Sequence, residues 1–281
     1  MAGLKTKGKE ELLRGILNDM GSCLIAFSGG VDSAYLALVA HEELGEKSLA
    51  VTAESPSYPA YQKKMVLDIV ERYGMPHEFI QTEELKDPKY AENSTNRCYF
   101  CKHELYTKLR AMAVRGGFFC VSDGNNVDDT GDHRPGREAA AKLAVRSPLI
   151  EAGLSKKDIR TLSKDRGLPN WDLPASACLS SRIPYGSPVT EKKLRMIEDG
   201  EVILRSLGFR QSRVRHHDEI ARIEIAPDEL EKALCLDMFR ALARHFKAIG
   251  FGFVTLDVEG YRTGRLNESF ISQSEIEVPE K

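Results

Sequence analysis

The sequence predicts an α/β protein, with a parallel sheet covered by helices on both faces and a smaller α+β domain after it. Two observations support this. In the first half, short apolar runs alternate with amphipathic segments, as in strands joined by crossover helices. After about residue 150 this alternation stops. From residue 190 onwards the predicted elements are a helix, two strands, a helix and a last strand. We expect domains at residues 1–182 and 183–281.

The first domain is expected to hold four strands. These are the apolar runs at residues 22–28, 48–55, 77–82 and 118–124. Helices are predicted where apolar residues recur at helical spacing, at 12–20, 32–45, 59–74, 101–117 and 154–167. Glycines end several of these segments, which is typical of helix C-termini.

The second domain follows a long irregular stretch at residues 168–188. A helix is expected at 190–208, two strands within 210–227, helical sequence at 227–250 and a last strand at 251–260. The polar tail at 272–281 is expected to be loose.

Composition limits the function. Of 281 residues, 42% are hydrophobic and 29% are charged, with a net charge of −2, which argues against nucleic acid as the main partner. No apolar run reaches the length of about 18 residues that a membrane span needs, and the charged N-terminus lacks a signal peptide's apolar block. We expect a cytoplasmic protein whose six cysteines are thiols or metal ligands.

The motif SGGVDS joins the first predicted strand to its helix. Glycines let the backbone turn tightly, and loop amides at a helix N-terminus attract anions. A capped tight turn is the plainer interpretation, but serine and aspartate at these positions favour a phosphate loop. The expected nucleotide ligands here are Ala26, Ser28, Gly29, Gly30, Asp32 and Ser33, with Asp32 also binding Mg²⁺.

Ligands in parallel sheets bind at the carboxyl ends of the strands. Two further strand ends, at residues 51–56 and 122–136, are therefore expected to contribute. In the second segment Gly124 and Asp128, with Asn125 and Asp129, suit a ribose and Mg²⁺, although a solvated loop would have a similar composition.

SGGVDS resembles the pyrophosphate loop of ATP pyrophosphatases, and no GK[ST] follows it as in a Walker loop. That resemblance implies cleavage of ATP between its α and β phosphates and transfer of AMP to an acceptor. It also implies a Rossmann-like adenine nucleotide α-hydrolase fold.

Three cysteines stand out. Cys98 and Cys101 form a CxxC in front of a predicted helix, and Cys178 lies on the irregular stretch. Cys23, Cys120 and Cys235 sit in apolar runs and are expected in the core. Two thiols are too few for a metal site. Zinc held by the three cysteines with His103 and a redox dithiol are both open.

Several long motifs resemble the LarE family of ATP-dependent sulfur transferases. They are SGGVDSAYLA, DDTGDHRPGREAAAKLAVRSPLIEAGLSKKDIR, PASACLSSRIPYG and SRVRHHDEIARIEI. The resemblance implies that a carboxylate of a pyridinium biscarboxylate mononucleotide is adenylated and then converted to a thiocarboxylate. The product serves the nickel-pincer nucleotide cofactor of lactate racemase.

Members of this family follow one of two sulfur chemistries. In some, the cysteine matching Cys178 gives up its own sulfur and becomes dehydroalanine. In others, a CxxC and the third cysteine hold a 4Fe–4S cluster with one iron open to an extra sulfide. The CxxC here resembles the second type, which implies a cluster on Cys98, Cys101 and Cys178, while single use of Cys178 stays an alternative.

Arg213 and Arg215 lie two apart on a predicted strand, and two guanidiniums on one face suit a phosphate or carboxylate. A solvated face with ion pairs is the alternative. The resemblance implies that both arginines act in sulfur transfer together with Glu224. Arg182 is a further candidate for binding substrate anions, and Glu201 is a weaker one.

Competing functions are an amide-forming synthetase, a tRNA thiolase and a zinc-stabilised binding module. An amide-forming synthetase would not need the thiols. A tRNA thiolase would need a basic surface, and the net charge of −2 argues against one. The SGGVDS loop argues against a binding module without catalysis. The expected partners are a small nucleotide substrate and a sulfide or persulfide donor, with a homo-oligomer implied by the family.

Overall fold

The computed structural model describes residues 5–131, 135–174 and 177–262. The chain packs as two compact units, Met1–Ser176 and Ala177–Lys281. The boundary that we expected after residue 182 stays a prediction. The polar tail at 272–281 lies outside the described residues, as do small parts of two of the quoted motifs, at 132–134 and 175–176.

The first unit contains a parallel four-stranded sheet in the order β3-β2-β1-β4. The strands are β1 (Cys23–Ala26), β2 (Ser48–Glu54), β3 (His77–Gln81) and β4 (Cys120–Ser122). The second unit contains a mixed three-stranded sheet of β5 (Ser212–His217), β6 (Ile220–Ile225) and β7 (Phe253–Leu256). The α/β fold class predicted from the sequence is confirmed.

Helices surround both sheets. Those of the first unit are α1 (Thr6–Met20), α2 (Val31–Leu44), α3 (Ala60–Tyr73), α4 (Pro88–Ala91), α5 (Arg97–Gly116), α6 (Pro135–Lys142), α7 (Pro148–Glu151) and α8 (Lys156–Asp165). Those of the second are α9 (Glu191–Ser206), α10 (Leu230–Ala233) and α11 (Leu236–Ala248). The short helices α4, α6 and α7 were missed because each has too few turns for a readable period.

β1 shows how the first sheet is covered on both faces. Its side chains alternate, as in any strand. Ile25 packs into one core with Tyr35 of α2, and Leu24 packs into another with Tyr106 of α5. All of these side chains are buried. This is why the strand reads as a continuous apolar run rather than an alternating one.

The second unit has its own core. Val214 and Ile223 from the sheet pack with Leu204 of α9 and Phe246 of α11. A Cβ added at Gly200 would lie 2.9 Å from the Phe246 ring, so this glycine lets α9 approach α11 closely. Within the described ranges, no helix is both long and apolar enough to cross a bilayer. The cytoplasmic location stays a prediction.

Candidate functional site

Hydrogen bonds between its two serines stabilise the predicted phosphate loop, Ser28–Ser33. The Ser28 amide donates to Ser33 Oγ at 3.2 Å, and Ser33 Oγ donates to the Gly30 carbonyl at 3.0 Å. The Ser28 and Ser33 hydroxyl oxygens are 3.2 Å apart. Ala26, at the end of β1, leads directly into this turn, and α2 begins at Val31. The loop therefore stands at a helix N-terminus, where an anion is favoured.

Any side chain at Gly29 would strain the backbone and press on a neighbouring side chain. Its φ is +79°, and an added Cβ would lie 2.8 Å from Val66 Cγ2. Asn170 holds the same residue from a distant part of the chain, since its Nδ2 donates to the Gly29 carbonyl at 2.8 Å. Sequence reasoning missed Asn170, which belongs to the irregular stretch before Cys178. The conformation of Gly29 and the hydrogen bond from Asn170 thus hold the loop without a ligand.

Gly124, after β4, packs directly against the first turn of α2. An added Cβ would lie 2.8 Å from the Ser33 amide nitrogen and 3.2 Å from the Asp32 carbonyl carbon. β1 and β4 are also the neighbours at which the strand order reverses. Such a point is where parallel sheets bind ligands. The structure therefore brings two of the predicted nucleotide segments together.

Asp32 forms an ion pair with Lys156 of α8, through Oδ2 and Nζ. Its Oδ1 atom is buried and makes no hydrogen bond within the residues that the structure describes. Burial raises the pKa of Asp32, and the Lys156 ammonium opposes that rise. The Lys156 amide also donates to Asp128 Oδ2 at 2.7 Å. Lys156 therefore contacts both predicted carboxylates, although 124 residues separate it from Asp32.

The acidic loop after β4 is largely organised by its own hydrogen bonds. Asp123 accepts from Tyr106 Oη at 2.9 Å and from Ser147 Oγ at 2.7 Å. The Asn126 amide donates to Asp129 Oδ2 at 3.0 Å. Asp123 thus has structural partners outside the loop, and Asp129 has one within it. The ribose and Mg²⁺ roles expected for Gly124 and Asp128 stay predictions.

A buried carboxylate from the segment after β3 lies against the turn that follows β2. Glu84 is 3% exposed, and it accepts hydrogen bonds from the hydroxyl groups of Ser55 and Ser57. Glu84 could not be singled out from the sequence, because it stands in an ordinary charged stretch. It stabilises the turn that follows β2.

Cys98 and Cys101 lie within the first turn of α5, not in front of it as we expected. The helix begins at Arg97, which is buried and bonds to Asn93 one turn earlier. No proline or glycine interrupts residues 97–101, so helix formation extends back to that contact. Three residues apart, the two cysteines share one helix face. Cys98 is exposed and Cys101 is half-buried.

The other cysteines divide differently from our expectation. Cys23 is buried in the sheet, as expected, with its Sγ 3.0 Å from Ser122 Oγ. Cys120 is only half-buried. Cys235 is exposed, so its expected core position is wrong. It occupies the turn between α10 and α11, where the helical apolar pattern is interrupted.

In the second unit, Cys178 is half-buried and precedes a 3₁₀ turn, Leu179–Arg182. Arg182 is 1% exposed, and its Nε donates to Glu201 Oε1 of α9 at 2.8 Å. Glu201 is 2% exposed. The two predicted substrate-binding residues are therefore partners of each other in the interior of the unit. Their roles at the substrate stay predictions.

Arg213 and Arg215 both lie on β5, as predicted, but their surroundings differ. Arg215 is buried, and its Nη2 donates at 2.8 Å to Glu224 of β6, which is fully buried. Arg213 is half-buried, and its guanidinium lies 4.9 Å from the ring centre of Tyr261. Glu224 is the register partner of Arg213 and also lies 3.2 Å from Arg222. The face therefore carries a charged network that is buried at Arg215 and Glu224 and partly exposed at Arg213 and Arg222.

Within the described residues, no group of three or more His, Cys, Asp or Glu side chains is arranged to hold a metal ion. Cys98 and Cys101 belong to the first unit and Cys178 to the second. The shared three-cysteine site stays a prediction.

No protein-family model matches the chain. An uncharacterized protein of Synechocystis is 43% identical over 261 residues, which cover 93% of this chain and 97% of that protein. The pyridinium-3,5-bisthiocarboxylic acid mononucleotide synthase of Lactiplantibacillus plantarum is 34% identical over 270 residues, 96% of each chain. A GMP synthase of Aeropyrum pernix is 23% identical over 224 residues, 69% of this chain and 42% of that enzyme.

Proposed function

The chain belongs to the LarE family, and from this we propose that it is an ATP-dependent sulfur transferase. Its substrate would be a pyridinium biscarboxylic acid mononucleotide, whose carboxylates become thiocarboxylates on the route to the nickel-pincer nucleotide cofactor. The observation that carries the proposal is the 34% identity to a synthase of that product class along 96% of both chains. The phosphate loop and the similarity to GMP synthase support the use of ATP.

The first step is adenylation. A carboxylate oxygen of the substrate attacks the α phosphorus of ATP, and pyrophosphate leaves with the electrons of the bridging P–O bond. The amides and hydroxyls around Ser28, Gly30 and Ser33 would bind the departing phosphates. Asp32 suits a ligand of Mg²⁺, because a carboxylate oxygen is what this ion prefers and its Oδ1 is buried without a hydrogen bond among the described residues.

The second step is sulfur transfer. A sulfide attacks the carbonyl carbon of the acyl adenylate, and AMP leaves with the electrons of the C–O bond. Adenylation makes this feasible, because it replaces an oxide leaving group by a phosphate ester. We assign the step to the second unit, where Arg213, Arg215 and Glu224 lie on adjacent strands. The guanidinium of Arg213, the more exposed of the two arginines, suits the anionic substrate.

The sulfur would come from a site formed by Cys98, Cys101 and Cys178. Thiolates are the ligands that iron–sulfur clusters use, and the exposed or half-buried state of these thiols suits that role. A bound 4Fe–4S cluster with three protein ligands would supply one iron able to carry an additional sulfide.

A direct test combines anaerobically purified protein, ATP, Mg²⁺, sulfide and the mononucleotide dicarboxylate. We expect pyrophosphate and AMP in equal amounts and a product mass in which oxygen is replaced by sulfur. Release of ADP, or AMP without any thiocarboxylate, would contradict the proposal.

Lys156→Met should weaken pyrophosphate release about 100-fold at limiting ATP, as the loss of one charged contact to a phosphate does. The motive is its ion pair with Asp32, which places an ammonium group beside the phosphate loop. The matched control is Lys157→Met, because Lys157 is the next residue on α8 and is exposed. Equal kinetics in the two variants would remove Lys156 from the nucleotide site.

Arg213→Ala should lower sulfur transfer about 100-fold while the Kd for ATP stays unchanged. Arg213 lies in the second unit and ATP is assigned to the first. Arg210→Ala is the control, since the Arg210 side chain is 85% exposed just before β5. A variant that loses ATP affinity but keeps transfer would show that Arg213 is wrongly assigned.

A further inference from the structure

Two buried guanidiniums hold the backbone of the loop that carries Cys178. Arg182 Nη1 donates to the Ala177 carbonyl at 2.8 Å and to the Cys178 carbonyl at 3.0 Å. Arg215, from β5, donates through Nη1 to the Ser181 carbonyl at 3.0 Å. Each end of the short segment 178–181 is therefore bound to an arginine, and one of these arginines comes from outside the loop.

The Cys178 carbonyl accepts several hydrogen bonds from its own loop. Besides Arg182, it accepts from the Ser181 amide at 3.0 Å and from Ser181 Oγ at 2.8 Å. Arg182 Nη1 in turn lies 2.8 Å from Ser181 Oγ. Connected hydrogen bonds of this kind, with little solvent nearby, restrict a backbone more than isolated ones do.

Each of the two arginines is paired with a buried glutamate. Glu201 of α9 accepts from Arg182, and Glu224 of β6 accepts from Arg215, both at 2.8 Å. All four side chains are buried. Charges are tolerated in a protein interior only when they are paired and hydrogen-bonded, and such pairs contribute little net stability. A well-packed apolar set could fill this volume, so net stability is a weak reason for the presence of the network.

We infer that Arg182, Glu201, Arg215 and Glu224 are positioning residues, which fix the backbone at Cys178 and thereby the direction of its thiol. They do this through carbonyl groups of the loop and not by binding the substrate's anions, the role that the sequence suggested for Arg182 and Glu201. The inference rests on the proposed function only in taking Cys178 as the working thiol. A thiol that must meet a metal or a carbonyl carbon has to be placed to within about 0.5 Å.

The test measures how fast iodoacetamide labels each cysteine in full-length protein prepared without iron, with peptide-resolved mass spectrometry as the readout. Arg182→Lys keeps the charge but loses the guanidinium fork. We expect Cys178 to react about tenfold faster, which corresponds to about 1.4 kcal/mol less local stability of the loop. Cys98 and Cys101, in the other unit, should keep their rates.

Glu229→Gln is the matched control. Glu229 is also a buried carboxylate of this unit, but it accepts from the backbone amides of Arg210 and Gln211. It should lose comparable stability without changing the Cys178 rate. Should Arg182→Lys fail to fold, Ser181→Ala gives the same comparison with a milder change, because it removes the hydroxyl that bonds the Cys178 carbonyl.

Steady-state kinetics separate positioning from substrate binding. In Arg182→Lys, positioning lowers the kcat of sulfur transfer and leaves the KM for the mononucleotide unchanged. An unchanged Cys178 labelling rate in folded variants, or a raised KM with an unchanged rate, would overturn the inference. Labelling needs neither ATP nor substrate. It therefore tests whether these residues position Cys178 even if the wild-type chain transfers no sulfur.

Discussion

Asp32→Ala should abolish pyrophosphate release, by about 1000-fold or more, while the protein stays folded. The size follows from the role proposed for Asp32, because a charged group that orients a metal ion and the phosphates at a reacting centre contributes this much. Asp32 stands in the first turn of α2, beside the phosphate loop, and pairs with Lys156. No step of the proposed chemistry precedes adenylation, so sulfur transfer should be lost with it.

Stability provides the check on this result. Because burial raises the pKa of Asp32, its ionised form is not favoured by folding, and its removal should change the free energy of unfolding by no more than about 1 kcal/mol. Thermal unfolding and pyrophosphate release should be measured on the same sample. Asp68→Ala, at an exposed position on α3, is the control. Normal release from folded Asp32→Ala protein would remove the phosphate loop from the ATP site.

Cys98→Ala, Cys101→Ala and Cys178→Ala should each lose iron and sulfide together, and with them sulfur transfer. A cluster with two protein ligands is poorly held, so the three losses should be similar. Iron and sulfide analysis after anaerobic purification measures this, together with the brown colour and visible absorption of a cluster. Zinc in place of iron would contradict the cluster assignment.

The remaining cysteines are the controls. Cys23→Ala and Cys120→Ala should keep full iron at a packing cost of about 1 kcal/mol, and Cys235→Ala should cost less because Cys235 is exposed. If Cys178→Ala keeps its iron while the CxxC variants lose theirs, the shared site is wrong. Single use of Cys178 then becomes the mechanism, and after turnover that residue should be lighter by one H₂S.

The sequence was sufficient for the sheet and for the strand-to-helix turn at SGGVDS, because both are local signals. Apolar runs and helical periods report the burial of their own segment, and SGGVDS joins one strand to one helix. The contacts that complete the site are not local. Lys156 reaches Asp32 across 124 residues, and Asn170 reaches Gly29 across 141. No periodicity encodes such pairings.

Burial of charged residues was the second obstacle. Arg182 and Glu201 were predicted to bind the substrate and not to pair with each other, because arginine and glutamate are almost never fully buried unless paired. Their mutual hydrogen bond is what permits burial, and it becomes visible only when α9 packs beside the 3₁₀ turn. The same applies to Arg215 and Glu224, which pair across β5 and β6.

Gly124 limits how this protein can be redesigned. A Cβ at residue 124 would lie 2.8 Å from the Ser33 amide nitrogen. Any side chain there would therefore displace both the segment after β4 and the loop Ser28–Ser33, so the two cannot be engineered separately. A library aimed at a different nucleotide should therefore leave this contact untouched. It should vary the turn after β2, where the side chains of Ser55 and Ser57 bond to Glu84. Substitutions in that turn do not alter the packing of Gly124 against Ser33.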